Sequence, residues 1–190
     1  GQPPFNKFNL GLDQRLIMYL NKKYACITLD FEEDYGDRVN EFNIYKNSFD
    51  KIEELKSLYD SLEIPVSAFI TTNILDKDNM AEVIKWLAND YHCHSHSHNT
   101  QSFDSKNEIT TCFSKFKEHF GYEPLGYRAP KGVLYPGDIQ LIKDTGFSFS
   151  SSLFPSIRIG TFNNLKSPQA PFIYDTGLLE IPLAVVNKIR

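Results

Sequence analysis

The residues best suited to chemistry lie in one short stretch, residues 91–100, which reads Tyr-His-Cys-His-Ser-His-Ser-His-Asn-Thr. Four of the chain's five histidines alternate there with small or polar residues: His92, His94, His96 and His98. In an extended strand, alternate side chains share one face. Neighbouring imidazoles repel one another when protonated and lose hydration when buried, whereas a divalent metal ion binds them. The stretch therefore predicts a metal site, against the simpler interpretation of a solvated polar strand or loop.

Size and composition limit the other functions open to the chain. With 190 residues and 41% hydrophobic content, we expect one globular domain spanning residues 1–190. A net charge of -4 offers no basic surface for nucleic acid, and no apolar run is long enough for a transmembrane segment. Cys26, Cys93 and Cys112 are irregularly spaced, which favours reduced thiols and a cytoplasmic location. A secreted or cell-envelope location is the alternative if a signal peptide was removed.

Strand and helix patterns alternate along most of the chain. Strands are predicted at residues 24–31, 65–71, 91–100, 126–130, 147–153 and 178–185. Helices are predicted at residues 12–21, 47–62, 80–88, 107–120 and 137–145, and residues 160–172 are predicted to be a polar loop. Such alternation indicates an α/β fold with parallel strands and crossover helices. Because the chain is shorter than an eight-unit barrel of about 250 residues, we expect a partial or distorted (β/α) barrel of about six or seven strands.

Polar side chains cluster where these strands end. In folds of this kind, functional groups gather at the carboxyl ends of the parallel strands. Alternation along the first strand places Asp30 and Glu32 on the same face, followed directly by Glu33 and Asp34. Arg128 lies near the end of a later strand. We therefore expect these groups to meet the histidines at one rim.

Three segments in this order resemble the motifs of the NodB-type polysaccharide deacetylases, carbohydrate esterase family four. They are the acidic residues 29–34, the His-Ser-His-Ser-His of residues 94–98, and the Arg-Ala-Pro of residues 128–130. The resemblance covers residues 24–183, and the first motif is similar to the Asp-x-Glu-Asp branch of the family. It implies a NodB-like fold, an N-acetylated carbohydrate substrate, and a divalent metal cofactor. Zinc is favoured, with cobalt or nickel as alternatives.

The resemblance also implies a set of metal ligands. His94 and His98 would bind the metal together with a carboxylate, for which Glu32 is preferred and Glu33 and Asp34 are rivals. Residues four apart on a straight strand share a face but lie too far apart to reach one ion. The chain must therefore turn between the two histidines.

Catalytic roles follow from the same resemblance. Asp30 would be the general base that activates water, and Arg128 would hold that carboxylate in place through a charge-assisted pair. The backbone N–H of Lys131 would bind the substrate by helping to polarise the acetyl carbonyl. The implied reaction is removal of N-acetyl groups from sugars in a polysaccharide or glycan precursor.

Two departures from the family pattern concern the general acid. The family places a histidine in a late motif, yet no histidine follows His119 in this sequence, and Ser150 occupies a position where many relatives have aspartate. Either the chain stops before that motif or the acid is lost. We therefore expect intact metal binding but weak deacetylase activity from these 190 residues. The alternatives are a cyclic-amide hydrolase of the same superfamily and a catalytically degenerate carbohydrate-binding domain.

Overall fold

The structure is a computed structural model that describes residues 25–32, 44–77, 79–98 and 104–185, with the backbone alone for residues 44–50. The predicted helix at residues 12–21 lies outside the described residues. No helix within the described ranges has the length and apolar character needed to cross a bilayer.

The described residues form four α-helices and nine short strands. The helices are α1 (Ile44–Ser61), α2 (Met80–Leu87), α3 (Ser105–Phe120) and α4 (Asp138–Thr145). The strands are β1 (Ile27–Phe31), β2 (Val66–Ile70), β3 (Asp90–Cys93), β4 (Gly126–Tyr127), β5 (Phe149–Ser150), β6 (Ile157–Arg158), β7 (Phe162–Asn163), β8 (Phe172–Ile173) and β9 (Leu179–Glu180).

Seven of the strands form one sheet in the order β1-β2-β3-β4-β5-β9-β8. Along this order, every pairing from β1 to β9 is parallel. The edge strand β8 runs antiparallel to its neighbour β9. The prediction of a mostly parallel α/β sheet of six or seven strands is confirmed. Parallel strands place all their carboxyl ends at one rim, so the residues that follow β1, β3, β4 and β5 meet there.

The two faces of the sheet differ in character because side chains alternate along each strand. One face packs against the helices and carries the apolar core, which includes Ala68, Ile70, Ile84, Cys93, Ile109, Cys112, Phe116, Tyr127 and Ile142. On the other face, the His92 ring lies 5.0 Å from the Phe69 ring and 4.9 Å from the Phe149 ring, between ring centroids. The Arg128 guanidinium lies over the same Phe69 ring at 3.7 Å. His92 and Arg128 therefore pack against the aromatic rings of Phe69 and Phe149 on this face.

Helix α3 is capped at both ends. The Asp104 side chain accepts hydrogen bonds from the amides of Lys106 and Asn107, at 3.1 and 3.3 Å. This satisfies two of the amides that a helix start leaves without partners. Gly121 ends the helix in the left-handed conformation, with φ of 78°.

The prediction for residues 160–172 was wrong in part. Residues 157–163 form a hairpin in which β6 pairs antiparallel with β7, and β8 begins at Phe172. The late strands are also shorter than predicted, with two residues each in β5 and β9. Strands of two residues are too short to display the period-two pattern from which strands are predicted.

Candidate active site

The histidine stretch turns away from the sheet midway. Strand β3 ends at Cys93, and residues 94–98 form a loop at the rim. Ser95 has a φ of 67°, a left-handed conformation that breaks the extended backbone of the strand. The Thr72 amide donates to the Ser95 carbonyl at 3.2 Å, and the Asn73 amide donates to the next carbonyl at 2.9 Å. The structure therefore contains the turn that the spacing of the two predicted ligands requires.

This turn brings Glu32, His94 and His98 together. Each of the three offers one ligand atom, and these atoms all lie within 4.8 Å of one another. Nε2 of His94 lies 3.0 Å from Nε2 of His98, and Nδ1 of His98 lies 2.7 Å from Oε2 of Glu32. Both histidines are buried, so this group of donors is largely shielded from water.

The protons of this cluster show why it suits a cation. Nδ1 of His94 lies 3.0 Å from the Arg128 carbonyl, which can only accept, so this nitrogen carries the proton and Nε2 keeps a lone pair. His98 must then donate from its own Nε2 towards His94. Its Nδ1 faces Glu32 Oε2 closely, yet both of these buried atoms lack a hydrogen-bond partner. Lone pairs that converge in this way are stabilised by positive charge.

A divalent metal ion fits this set of donors. Two imidazole nitrogens and a carboxylate oxygen are ligand types that zinc accepts, and three protein ligands leave a position open. Burial lowers the pKa of the His94 imidazole to about 4, and the negative charge of nearby Asp30 opposes this effect. His94 is therefore neutral near pH 7, the form in which imidazole binds a metal.

Asp30 and Arg128 form the second part of the site. Nη1 of Arg128 donates to Oδ1 of Asp30 and, at 3.2 Å, to Oγ1 of Thr28. Thr28 and Asp30 lie two residues apart in β1, so their side chains share one face of the strand. The other guanidinium nitrogens donate to Ser151, Nε to its carbonyl at 2.9 Å and Nη2 to its hydroxyl at 3.1 Å. Because the guanidinium is planar and held on three sides, it fixes the orientation of the aspartate.

A buried glutamate supports the segment that holds Arg128. Oε1 of Glu180 accepts hydrogen bonds from the amides of Ser152 and Leu153, at 2.9 and 2.8 Å. The Ser152 hydroxyl in turn accepts from the amide of Ala129 at 2.9 Å, beside Arg128. Burial raises the pKa of the Glu180 carboxyl, and these hydrogen bonds oppose the rise. The Glu180 carboxylate thus ties β9 to the chain after β5, and the Ser152 hydroxyl ties that segment to the chain after β4.

The predicted substrate-binding residue lies in a tight turn next to this segment. Lys131 has a φ of 56° within the 3-10 turn Pro130–Gly132. Gly132 follows with a φ of 69°, and a Cβ there would lie 2.4 Å from the Phe154 ring. The turn therefore presents backbone close to Arg128 at the rim, and the role of Lys131 stays a prediction.

The other two histidines of the stretch make contacts outside the cluster. His92 pairs with Asp90, with 2.9 Å between Nε2 and Oδ2, and Nδ1 of His96 lies 3.0 Å from Oγ1 of Thr72. Neither belongs to the cluster of Glu32, His94 and His98, so only two of the four histidines meet a carboxylate there. The rival carboxylates Glu33 and Asp34 lie outside the described residues. Within those residues, Glu32 is the carboxylate that meets the two histidines.

The residues that buttress the site were not predicted. Glu108 of α3 hydrogen bonds to the histidine loop, and Ser151 and Glu180 support Arg128. A weak signal existed for Glu108, since it lies four residues before Cys112 on the buried stripe of a predicted helix. Glu180 interrupts an apolar strand in a similar way. A charged residue on a predicted core face indicates a buried hydrogen-bond network but does not identify its partners.

No family model matches this sequence, and no curated protein matches it. Similarity appears instead at the level of solved structures. A protein from Mycobacterium smegmatis assigned as a polysaccharide deacetylase superposes with a TM-score of 0.61 at 16% identity, over 87% of this chain and 63% of that one. A family 4 carbohydrate esterase from Streptomyces lividans, solved in complex with acetate, gives 0.50 at 15% identity, over 67% of this chain and 61% of that one.

A third structure with this fold is a family 4 pseudoenzyme from Bacillus anthracis, with a TM-score of 0.51 at 12% identity, over 68% of this chain and 43% of that one. A mutant of that pseudoenzyme has restored enzymatic activity. The chain spans less than two thirds of the length of each of these three proteins. The chain therefore has the NodB-like fold of the family 4 polysaccharide deacetylases.

Proposed function

We propose that the chain is a metal-dependent hydrolase that removes acetyl groups from N-acetylated sugars in a polysaccharide or glycan precursor. The observation that carries this proposal is the convergence of Glu32, His94 and His98 beside the Asp30–Arg128 pair at one rim. Hydrolysis of an amide requires a group to accept a proton from water and a positive centre to stabilise the developing oxyanion. At this rim, Asp30 can accept the proton and a bound cation would supply the positive centre.

Glu32, His94 and His98 would hold a divalent ion, preferably zinc, through the donor atoms described above. When bound, such an ion lowers the pKa of water and polarises the amide carbonyl. Asp30 would accept the proton of the attacking water. Arg128 keeps the Asp30 carboxylate oriented for that transfer, and the Lys131 N–H would donate to the carbonyl oxygen as negative charge develops on it.

Departure of the amine requires a further group that donates a proton. The amine must gain a proton as the tetrahedral adduct collapses, and a positioned acid is worth about 10²–10⁴-fold in rate. Among the described residues 104–185 no histidine follows His119, and the Ser150 hydroxyl donates to the Ser152 hydroxyl at 2.9 Å. Within those residues, protonated Asp30 would have to return its proton to the amine. A second candidate function, if no other group supplies this acid, is a carbohydrate-binding domain with little turnover.

Acetate release distinguishes the two candidates. Wild-type protein loaded with zinc or cobalt would be incubated with N-acetylglucosamine oligomers, and acetate would be measured over time. We expect slow release that stops when the metal is chelated and falls by about 10²–10⁴-fold in Asp30→Asn. Oligomer binding without acetate release, with the metal bound, would favour the carbohydrate-binding domain. Acetate release that persists in the chelated protein would contradict the proposed chemistry.

A further inference from the structure

The loop that carries both histidine ligands is attached to a carboxylate from another element. Oε2 of Glu108 accepts from the Ser95 hydroxyl at 2.7 Å and from the Ser97 amide at 2.6 Å. Oε1 accepts from the Ser97 hydroxyl at 2.8 Å. Ser95 and Ser97 flank the centre of the loop between His94 and His98. The two oxygens of Glu108 therefore bind both sides of the turn at once.

The position of Glu108 is favourable for a buried negative charge. It lies in the first turn of α3, where the amides of the helix favour an anion, and its exposed fraction is 8%. Its three donors compensate for lost hydration. Helix α3 is itself fixed by the Asp104 cap and by the burial of Ile109 and Phe116 against the sheet. Glu108 thus connects a rigid helix to the ligand loop.

The loop needs this support because its conformation is unusual. A non-glycine residue with a φ of 67°, as at Ser95, occupies a sparsely populated region of backbone conformation that must be held by surrounding contacts. The Ser95 side chain also contacts Tyr127, whose hydroxyl is hydrogen bonded to it. Without the Glu108 carboxylate, the Ser97 amide would lose the partner that holds it in the turn. His94 and His98 would then meet less often in the geometry that one ion requires.

We propose that Glu108 is a positioning residue that sets the metal affinity of the site by holding the 95–97 segment in its turned conformation. It acts through the loop and touches neither the ion nor the substrate. This inference rests on the metal site of the proposed function, not on turnover. Partners that orient metal ligands in this way typically contribute about 10–100-fold to metal affinity.

The test measures zinc affinity by competition against a chromogenic chelator, at a temperature at which circular dichroism shows every variant folded. Glu108→Ala should weaken zinc binding by about 10–100-fold. Glu108→Gln, which keeps the size and one acceptor, should lose less, as should Ser97→Ala, which removes one of the three bonds. Glu118→Gln, an exposed position on the same helix, is the matched control and should bind zinc like wild type.

The outcomes separate this inference from the proposed function. Stoichiometric zinc in wild type with equal affinity in Glu108→Gln, Ser97→Ala and any folded Glu108→Ala would overturn the role of Glu108 alone. Absence of zinc from wild type would overturn both the metal site and this inference. A graded loss of affinity in the order Ser97→Ala or Glu108→Gln, then Glu108→Ala, would support it even if no acetate is released.

Discussion

The Asp30–Arg128 pair and the Glu32–His94–His98 cluster lie side by side, yet they balance their charges differently. Arg128 supplies a permanent positive charge, and each of its three nitrogens has an acceptor in Asp30, Thr28 or Ser151. In the cluster, by contrast, Oε2 of Glu32 and Nδ1 of His98 face each other with no hydrogen bond. The first part of the site has its charges balanced within the chain, whereas the second has donor atoms that a cation would complete.

The two parts of the site therefore differ in what they need to keep their geometry. Groups whose hydrogen bonds are satisfied within the chain keep their geometry without a ligand, whereas buried polar atoms without a hydrogen bond are costly and gain from a bound cation. The base should therefore be preorganised in the metal-free protein, and the ligand loop should depend on the ion and on Glu108. Substitutions in the two parts should have separable effects on metal content, turnover and stability.

The largest expected effect is on metal binding. Replacement of His94 or His98 by alanine removes one of three ligands, so stoichiometric zinc should be lost. Zinc per chain after equilibrium dialysis is the measurement. His119→Ala is the control, because His119 pairs with Asp76 on the surface at 3.1 Å, away from the cluster. Retention of one zinc per chain in either ligand variant would refute the assignment.

Asp30→Asn should affect turnover without affecting the metal. Asparagine keeps the shape of the side chain but cannot act as a base, so acetate release should fall by about 10²–10⁴-fold. Zinc per chain should stay at the wild-type value. The surface variant Asp76→Asn should change neither quantity. Loss of zinc together with activity in Asp30→Asn would show that the two parts are not separable.

Arg128→Lys should lower stability by the same amount with and without metal. Lysine cannot reproduce the planar contacts with Ser151 and Asp30 or the stacking over Phe69. Loss of one or two such hydrogen bonds should reduce the free energy of unfolding by about 1–3 kcal/mol. Urea denaturation in chelator and in zinc measures it. A reduction seen only in zinc would mean that the base part also depends on the ion.

The smallest expected effect concerns Glu180 and pH. Burial raises the pKa of this carboxyl above its ordinary value of 4.5, so the folded state holds the proton more tightly than the unfolded state. The stability that the folded state gains from the protonated Glu180 carboxyl is fully present below pH 4.5. It is lost as the pH rises through the raised pKa. Glu180→Gln cannot ionise, so its stability relative to wild type should rise with pH. Parallel curves of unfolding free energy against pH would contradict this.

The sequence predicted which polar residues meet at the rim, whereas their roles as metal ligands, which the family resemblance implies, stay predictions. The alternating pattern of β1 placed Asp30 and Glu32 on one face, and the spacing of His94 and His98 required a turn that the structure contains. These predictions rest on local periodicity and on the rule that parallel strands end at a common rim.

The supporting contacts could not be predicted because they join residues far apart in the chain. Glu180 reaches Ser152 across 28 residues, and Arg128 reaches Ser151 across 23. No periodic pattern relates such pairs, so tertiary packing decides them. The hairpin of β6 and β7 was missed for a different reason, since two-residue strands carry no readable alternation.

Anomalous diffraction at the zinc absorption edge, from crystals of the wild-type protein grown with zinc, tests the central claim most directly. We predict one anomalous peak per chain, bounded by Glu32, His94 and His98 and adjacent to the carboxylate of Asp30. A peak held by other residues, or no peak at this rim in crystals soaked with zinc, would contradict the account.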